Sequence, residues 1–203
     1  MGDWSRERRD DTVTFMQSNI KLGLDDRTDL QLVVDAYVTE DVTNGEDSNG
    51  FGDVQVRLKR NLWGNDGGDS AFAIFPYVKI PTDTDRSNGE FEGGMILPYA
   101  RGLTDTLDLG LMAQFDVVYD DAGDEHDFEF LHTAVVGYPI HGDLGGYLEM
   151  VGIYAEGGDY RASTNLGLTL QPDPDLLLDA GVRVGVTDDV DDIGFFLGFT
   201  ARY

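Results

Sequence analysis

The chain has 203 residues, a net charge of −25 and a mean hydropathy of −0.27, which is length enough for one domain. So acidic a chain does not offer the clustered Lys and Arg that nucleic-acid phosphates require, yet at 41% hydrophobic residues it is too apolar for a solvated, disordered tail. It contains no cysteine, which excludes disulfides, thiolate nucleophiles and Cys-ligated metals, and no run of about 18 apolar residues, which excludes a membrane helix.

The first eleven residues form a charged segment, with Trp4 followed by Ser-Arg-Glu-Arg-Arg. It lacks the apolar region of a secretory signal, so the expectation is a remnant of a preceding strand or loop within a longer precursor. From residue 12 to 203 the dominant signal is two-residue alternation, and the expected fold is all-β. Val54, Val56 and Leu58 alternate with Asp53, Gln55, Arg57 and Lys59. Leu107, Leu109, Leu111, Ala113, Phe115, Val117 and Tyr119 alternate with Asp108, Gly110, Met112, Gln114 and Asp116. Leu166, Leu168 and Leu170 repeat the pattern, as do Leu178, Ala180, Val182 and Val184 around Asp179 and Arg183.

Strands are predicted at 13–24, 29–40, 51–63, 70–80, 91–102, 106–120, 127–140, 144–156, 160–171, 175–187 and 193–203. In 91–102 and 127–140 the phase is ambiguous. Ordinary strands run about 5–6 residues. These are as long as the roughly 9–11 residues that cross a bilayer at a tilt. Their alternation keeps the average hydropathy low, as in a transmembrane barrel. Pro76 and Pro98 fall inside strands and are expected to mark bulges or kinks.

Connections alternate in length. Those at 25–28, 64–69, 103–105, 141–143 and 171–175 are short, and those at 41–50, 81–90, 121–126 and 156–159 are mostly longer and rich in Gly, Asn and Asp, with 188–192 the exception. Short turns on the periplasmic side and longer loops outside are the habit of bacterial outer-membrane barrels. The expected architecture is therefore an antiparallel up-and-down barrel of eleven strands, with a twelfth in the full protein, because such barrels have even counts. The last strand alternates Phe195, Leu197, Phe199, Ala201 and Tyr203 with smaller or polar residues. An aromatic end of this kind resembles the signal read by the barrel-assembly machinery.

The run from Gly52 to Asp69, which includes Asn61-Leu-Trp-Gly-Asn-Asp-Gly-Gly-Asp69, resembles the transporter barrels linked to the meta pathway of phenol degradation. Lys21-Leu-Gly-Leu, Asp29-Leu-Gln-Leu-Val-Val-Asp35, Pro76-Tyr-Val-Lys-Ile-Pro81, Glu92-Gly-Gly-Met-Ile-Leu-Pro98, Gly110-Leu-Met-Ala-Gln-Phe-Asp116 and Leu178-Asp-Ala-Gly-Val182 extend the likeness over most of the chain. The resemblance implies an outer-membrane barrel that takes up small, hydrophobic or aromatic compounds, and it brings no catalytic residues and no cofactor.

In a barrel the polar phase faces the lumen. Lys21, Arg57, Lys59, Lys79, Arg101, Arg161, Arg183 and Arg202 are the basic candidates for that lining. Asp29, Asp35, Asp53, Asp108, Asp116 and Asp179 are the acidic ones. Two readings stay open: a selectivity lining for a small solute, or a lattice of ion pairs that fills a narrow interior.

Other constellations are weaker. Asp83-Thr-Asp85-Arg-Ser87-Asn88-Gly89 misses the EF-hand pattern, with glycine at the seventh position and Gly94 in place of the bidentate Glu. Asp120–Asp127 reads as a solvated acidic loop, or one that meets cations bridging lipopolysaccharide. His126, His132 and His141 lack metal spacing. His132 with Ser163 and Asn165 is the nearest approach to a lipid-modifying site, and no enzyme is expected. Trp4, Trp63, Tyr37, Tyr77, Tyr99, Tyr119, Tyr138 and Tyr154, several of them near strand ends, fit interfacial girdles. The partners expected are outer-membrane lipid, lipopolysaccharide and a small solute. The alternatives to a channel are a closed structural barrel and a soluble ligand-binding barrel. An apolar belt would make the soluble form aggregate.

Overall fold

The computed structural model describes residues 2–7, 10–42, 48–82, 84, 87–121 and 123–202, with side chains described at 18–34 and from 51 onward. Thirteen strands follow one another, with no helix among the described residues. They are β1 Gly2–Glu7, β2 Asp10–Asp25, β3 Thr28–Val42, β4 Ser48–Gly50, β5 Val54–Trp63, β6 Ser70–Ile80 and β7 Glu92–Gly102. β8 Asp108–Asp120, β9 Glu125–His141, β10 Leu144–Ala155, β11 Arg161–Asp173, β12 Leu176–Gly185 and β13 Ile193–Ala201 complete the chain.

All eleven strands read from the sequence form, each within a few residues of its expected bounds. β4 is a three-residue stub on β3, paired through Val38–Glu40. The other twelve strands close into one ring, every neighbour antiparallel. The closing strand is β1. Gly2–Glu7 pairs with Phe15–Asp10 of β2, and Gly2–Arg6 pairs with Leu197–Ile193 of β13. The charged run Ser-Arg-Glu hides this strand from a hydropathy reading. β1 thus runs from the short-turn end to the loop end, and β13 ends at the short-turn end.

The alternation sorts onto two faces. Residues directly opposed in a ladder share a face. Ile20↔Leu32, Leu22↔Leu30, Leu30↔Leu58 and Leu32↔Val56 share the outer one. The belt continues through Val78, Met95, Leu111, Phe115, Met150, Leu166 and Leu168 to Phe195, Leu197 and Phe199, all exposed and Leu197 and Phe199 at 67%. Water would not tolerate so continuous an apolar band, whereas hydrocarbon does. Near the short-turn end Trp63 stacks on Phe72 with centroids 4.9 Å apart, Tyr99 pairs with Phe72, and Tyr138 is exposed. Tyr154 holds the equivalent outer position towards the loops. These rings form the expected girdles. Trp4 and Tyr37 have side chains outside the described set.

The inner face buries little apolar mass. Its buried residues include Val33, Ala73, Ile96 and Phe196 but also Gln31, Asp116, Ser163 and Asn165. Aromatic rings reach across neighbouring strands where glycine leaves room. Tyr147 lies over Gly167 and Phe196 over Gly181, at distances a Cβ would not permit. Pro76 and Pro98 mark no register shift, though the ladder on one flank of each is interrupted, with no β5–β6 pair at Pro76 and no β6–β7 pair at Pro98. On the other flank Pro76 stands in register in the β6–β7 ladder and Pro98 in the β7–β8 ladder, with no bulge there. The register shifts fall elsewhere, at Asn61/Trp63, Leu144/Gly145, Leu170/Asp173 and Gly23/Asp25, close to turns where one extra residue re-aims the strand. A proline removes only one ladder donor, which costs the register nothing.

Candidate functional site: the charged lumen

A single inward row crosses half the ring: Lys21↔Gln31↔Arg57↔Tyr77↔Gly94↔Asp116↔Glu129, from β2 to β9. Its side chains bond along the wall. Asn19 Nδ2 donates to Gln31 Oε1 at 3.3 Å. The Arg57 guanidinium donates to Gln55 Oε1 at 2.6 and 2.9 Å and lies 5.9 Å from the centre of the Tyr77 ring. The Tyr77 hydroxyl donates to Asp116 Oδ1 at 2.6 Å, and Gln114 Nε2 donates to Asp116 Oδ2 at 2.7 Å. Asp116 is 3% exposed and is held by two neutral donors. The bond crosses β7, where Gly94 has no side chain to block it. A Cβ there would lie under 3.0 Å from Asp116 Oδ1 and from the Phe115 carbonyl.

Towards the loops Lys79 sits between two acids. Its Nζ is 2.6 Å from Glu92 Oε2 and 3.4 Å from Asp53 Oδ2, and the three side chains are 21%, 12% and 6% exposed. The β6–β7 loop fastens onto this triad. Thr82 N–H donates to Asp53 Oδ1 at 3.1 Å, and Asn88 Nδ2 donates to Glu92 Oε1 at 2.6 Å. Next to it Arg161 Nη2 reaches Glu129 Oε2 at 2.7 Å, spanning β10. On the far wall Asn165 Nδ2 donates to Glu149 Oε2 at 2.8 Å and Asn165 Oδ1 accepts from Arg183 Nε at 3.3 Å. Lys59 lies 3.7 Å from Asp29 and 5.7 Å from the centre of the Phe75 ring.

The sequence candidates divide accordingly. Lys21, Asp29, Arg57, Lys59, Lys79, Asp108, Asp116, Arg161, Asp179 and Arg183 stand on the inward phase, and Asp53 joins them through Lys79. Two do not. Arg101 shares the outer phase with Tyr99 and Leu109 at the short-turn end, where a long cationic side chain reaches past the apolar belt to water. Arg202 follows the last strand and is exposed beside the 174–175 turn, its N–H on the Asp175 carbonyl at 2.8 Å. Asp35 pairs with Gln17 in the backbone, and its side chain is outside the described set. Tyr203, Asp83 and Asp85 are outside it as well.

The inward acids Glu92 and Glu129 escape the sequence reading because the phase of 91–102 and 127–140 is ambiguous, and Glu149, in the strand at 144–156, is a third inward acid outside the candidates. Glu129 opposite Asp116 was the available signal. Tyr77 was expected in a girdle and instead faces inward. The His132, Ser163 and Asn165 grouping does not form. His132 shares the outer face with Gly152 and Ala113, bonded to the Gly152 carbonyl at 3.2 Å, whereas Ser163 and Asn165 face the lumen.

Eleven long antiparallel strands and a six-residue closing one in an up-and-down ring, apolar outside and charged inside, are the architecture of a porin-type membrane barrel. The chain belongs to the family described as "Putative MetA-pathway of phenol degradation", whose model matches residues 12–203. Among solved structures it is similar to one titled "NanC porin structure in rhombohedral crystal form", with 13% identity, a TM-score of 0.70 and coverage of 100% of this chain and 98% of that one. It is also similar to "KdgM porin", with 14% identity, a TM-score of 0.62 and coverage of 100% and 98%. At these identities the likeness is one of fold. No curated protein matches the chain.

Proposed function

We propose that the protein is a passive channel of the bacterial outer membrane for small solutes, aromatic or hydrophobic compounds among them. The observation that carries this reading is the lining: charged and polar side chains face inward on every wall with described side chains, while the outer face is apolar. In this reading the short-turn end, where the last strand finishes, is periplasmic, and the 81–91, 121–124, 156–160 and 186–192 loops face outward among lipopolysaccharide. The final strand, with Phe195, Leu197 and Phe199, serves the assembly machinery. The family description supports aromatic compounds as cargo.

The Lys79 triad and the buried Asp116 favour a second reading, a lumen filled by its own ion pairs, in which case the protein is a closed surface barrel. Liposome uptake separates the two. Vesicles containing the refolded chain should take up phenol and small sugars faster than empty vesicles, and planar bilayers should show discrete conductance steps. Uptake equal to that of empty vesicles, from a chain with heat-dependent gel mobility, establishes the closed barrel.

A further inference from the structure

We infer that the pore discriminates by charge, passing cations and neutral solutes and holding back anions. The inference rests on the channel reading above and names the class of solute that reading leaves open.

The wall formed by β7, β8 and β9 carries it. The inward phase there holds Glu92, Asp108, Asp116, Asp127 and Glu129, and not one Lys or Arg. The neighbouring cations offset only part of this charge. Lys79 is shared between Glu92 and Asp53, so that group keeps a net negative charge. Arg161 answers Glu129. Asp116 is held by a phenol and an amide. Asp127, near the loop end, and Asp108, near the short-turn end, make no ion pair with a described residue. The opposing weight is Lys21, an inward base likewise without an ion pair among the described residues, together with Arg57 and Arg183 on the same inward phase.

The described loops between β8 and β13 have the same sign, Arg6 at the loop end of β1 being a base at that mouth. The loop residues 121, 123–125, 156–160 and 186–192 contain acids and no Lys or Arg. Low-dielectric walls focus such a field along the axis and enrich counter-ions in the opening. Rings of Asp and Glu select cations by this means. A carboxylated aromatic would therefore cross against the field, and a phenol or a protonated amine would not.

The test is the reversal potential of the refolded chain in planar bilayers under a potassium chloride gradient, followed by the fluxes of benzylammonium and benzoate, which are nearly equal in size. The expected result is a potassium preference over chloride and faster benzylammonium. Asp108→Asn and Asp127→Asn should each lower the preference by about twofold, the effect of one unit charge across roughly 8 Å of water. Asp188→Asn with Asp189→Asn should lower it in dilute salt and leave it unchanged near 1 M, where the screening length is about 3 Å. Boiled and unboiled gel mobility confirms that each variant is folded. Conducting channels with equal or anion-favouring permeability overturn this inference and leave the channel reading intact. A cation preference indifferent to all these variants overturns the assignment to this wall and mouth. Absence of conductance overturns both readings.

Discussion

Gly94 is the position where one added carbon has the largest calculable consequence. The Tyr77 phenol crosses β7 over Gly94 to donate to Asp116. In Gly94→Ala the new Cβ would fall under 3.0 Å from Asp116 Oδ1 and from the Phe115 carbonyl, and 3.0 Å from Tyr77 Cε1. The Phe115 carbonyl is ladder backbone and cannot yield without breaking the β7–β8 pairing. Overpacking of this kind costs about 1–3 kcal/mol. Loss of a hydrogen bond to a charged group costs about 1.5–3 kcal/mol more. Relief of glycine's backbone entropy returns about 0.5–1 kcal/mol. The expected net loss is about 2–5 kcal/mol. The control is Gly137→Ala, on the inward phase of β9, where nothing lies within 4 Å of the added carbon and the change should stay within about 0.5 kcal/mol. Urea titration in detergent, followed by the gel shift between folded and boiled forms, measures both. If Gly94→Ala and Gly137→Ala unfold at the same urea concentration, the account of the Tyr77–Asp116 crossing is wrong.

Lys79→Met leaves Asp53 and Glu92 facing each other with no cation, at a cost of about 3 kcal/mol, and adding Glu92→Gln should recover part of that loss in the same titration. Phe196→Ala removes a ring 5% exposed on the inner face, so stability should fall by about 3–5 kcal/mol while single-channel conductance rises; reduced or unchanged conductance would place the ring away from the path. Leu166→Arg puts a charge on the outer belt and should cost about 2–4 kcal/mol in bilayers, with little effect in a water-soluble barrel. A chain that stays monomeric without detergent and tolerates this change would refute the lipid-facing assignment.

The eleven long strands and their direction are legible because length and alternation report backbone and medium directly, whereas the short charged β1 is not. β8 reads cleanly since its outer residues are all apolar and its inner ones, Met112 and Val118 apart, are glycine or polar. β9 does not: Leu131 and Val135 face inward and His132 outward, so the two faces of its centre differ little in polarity. Position on a strand also misled the reading of Arg101, where a charge at a strand end satisfies itself in water from the outer face. The ion pairs needed the ring. Arg161 and Glu129 are 32 residues apart and meet across an intervening strand, a relation no local pattern encodes. The neutral partners Tyr77, Gln114 and Asn165 carry no charge signal at all. Gly94 announces itself only once the tyrosine beside it is seen.

The β8–β9 hairpin overtops both its neighbours, running on to Asp120↔Glu125 after the β7 ladder stops at Val117 and the β10 ladder at Glu129. A bare ribbon of this kind presents two strand edges, the usual template for barrels to zip together at their crowns. Here each flank is blunted by a glutamate from the adjoining strand or loop. Glu92 accepts the Tyr119 N–H on one side, and Glu156 accepts the Phe128 N–H on the other. The carboxylates of Asp121, Asp124 and Glu125 at its tip repel any second copy that approaches. Crowded barrels can thus stand side by side in a membrane with their tallest hairpins unable to add a strand to one another.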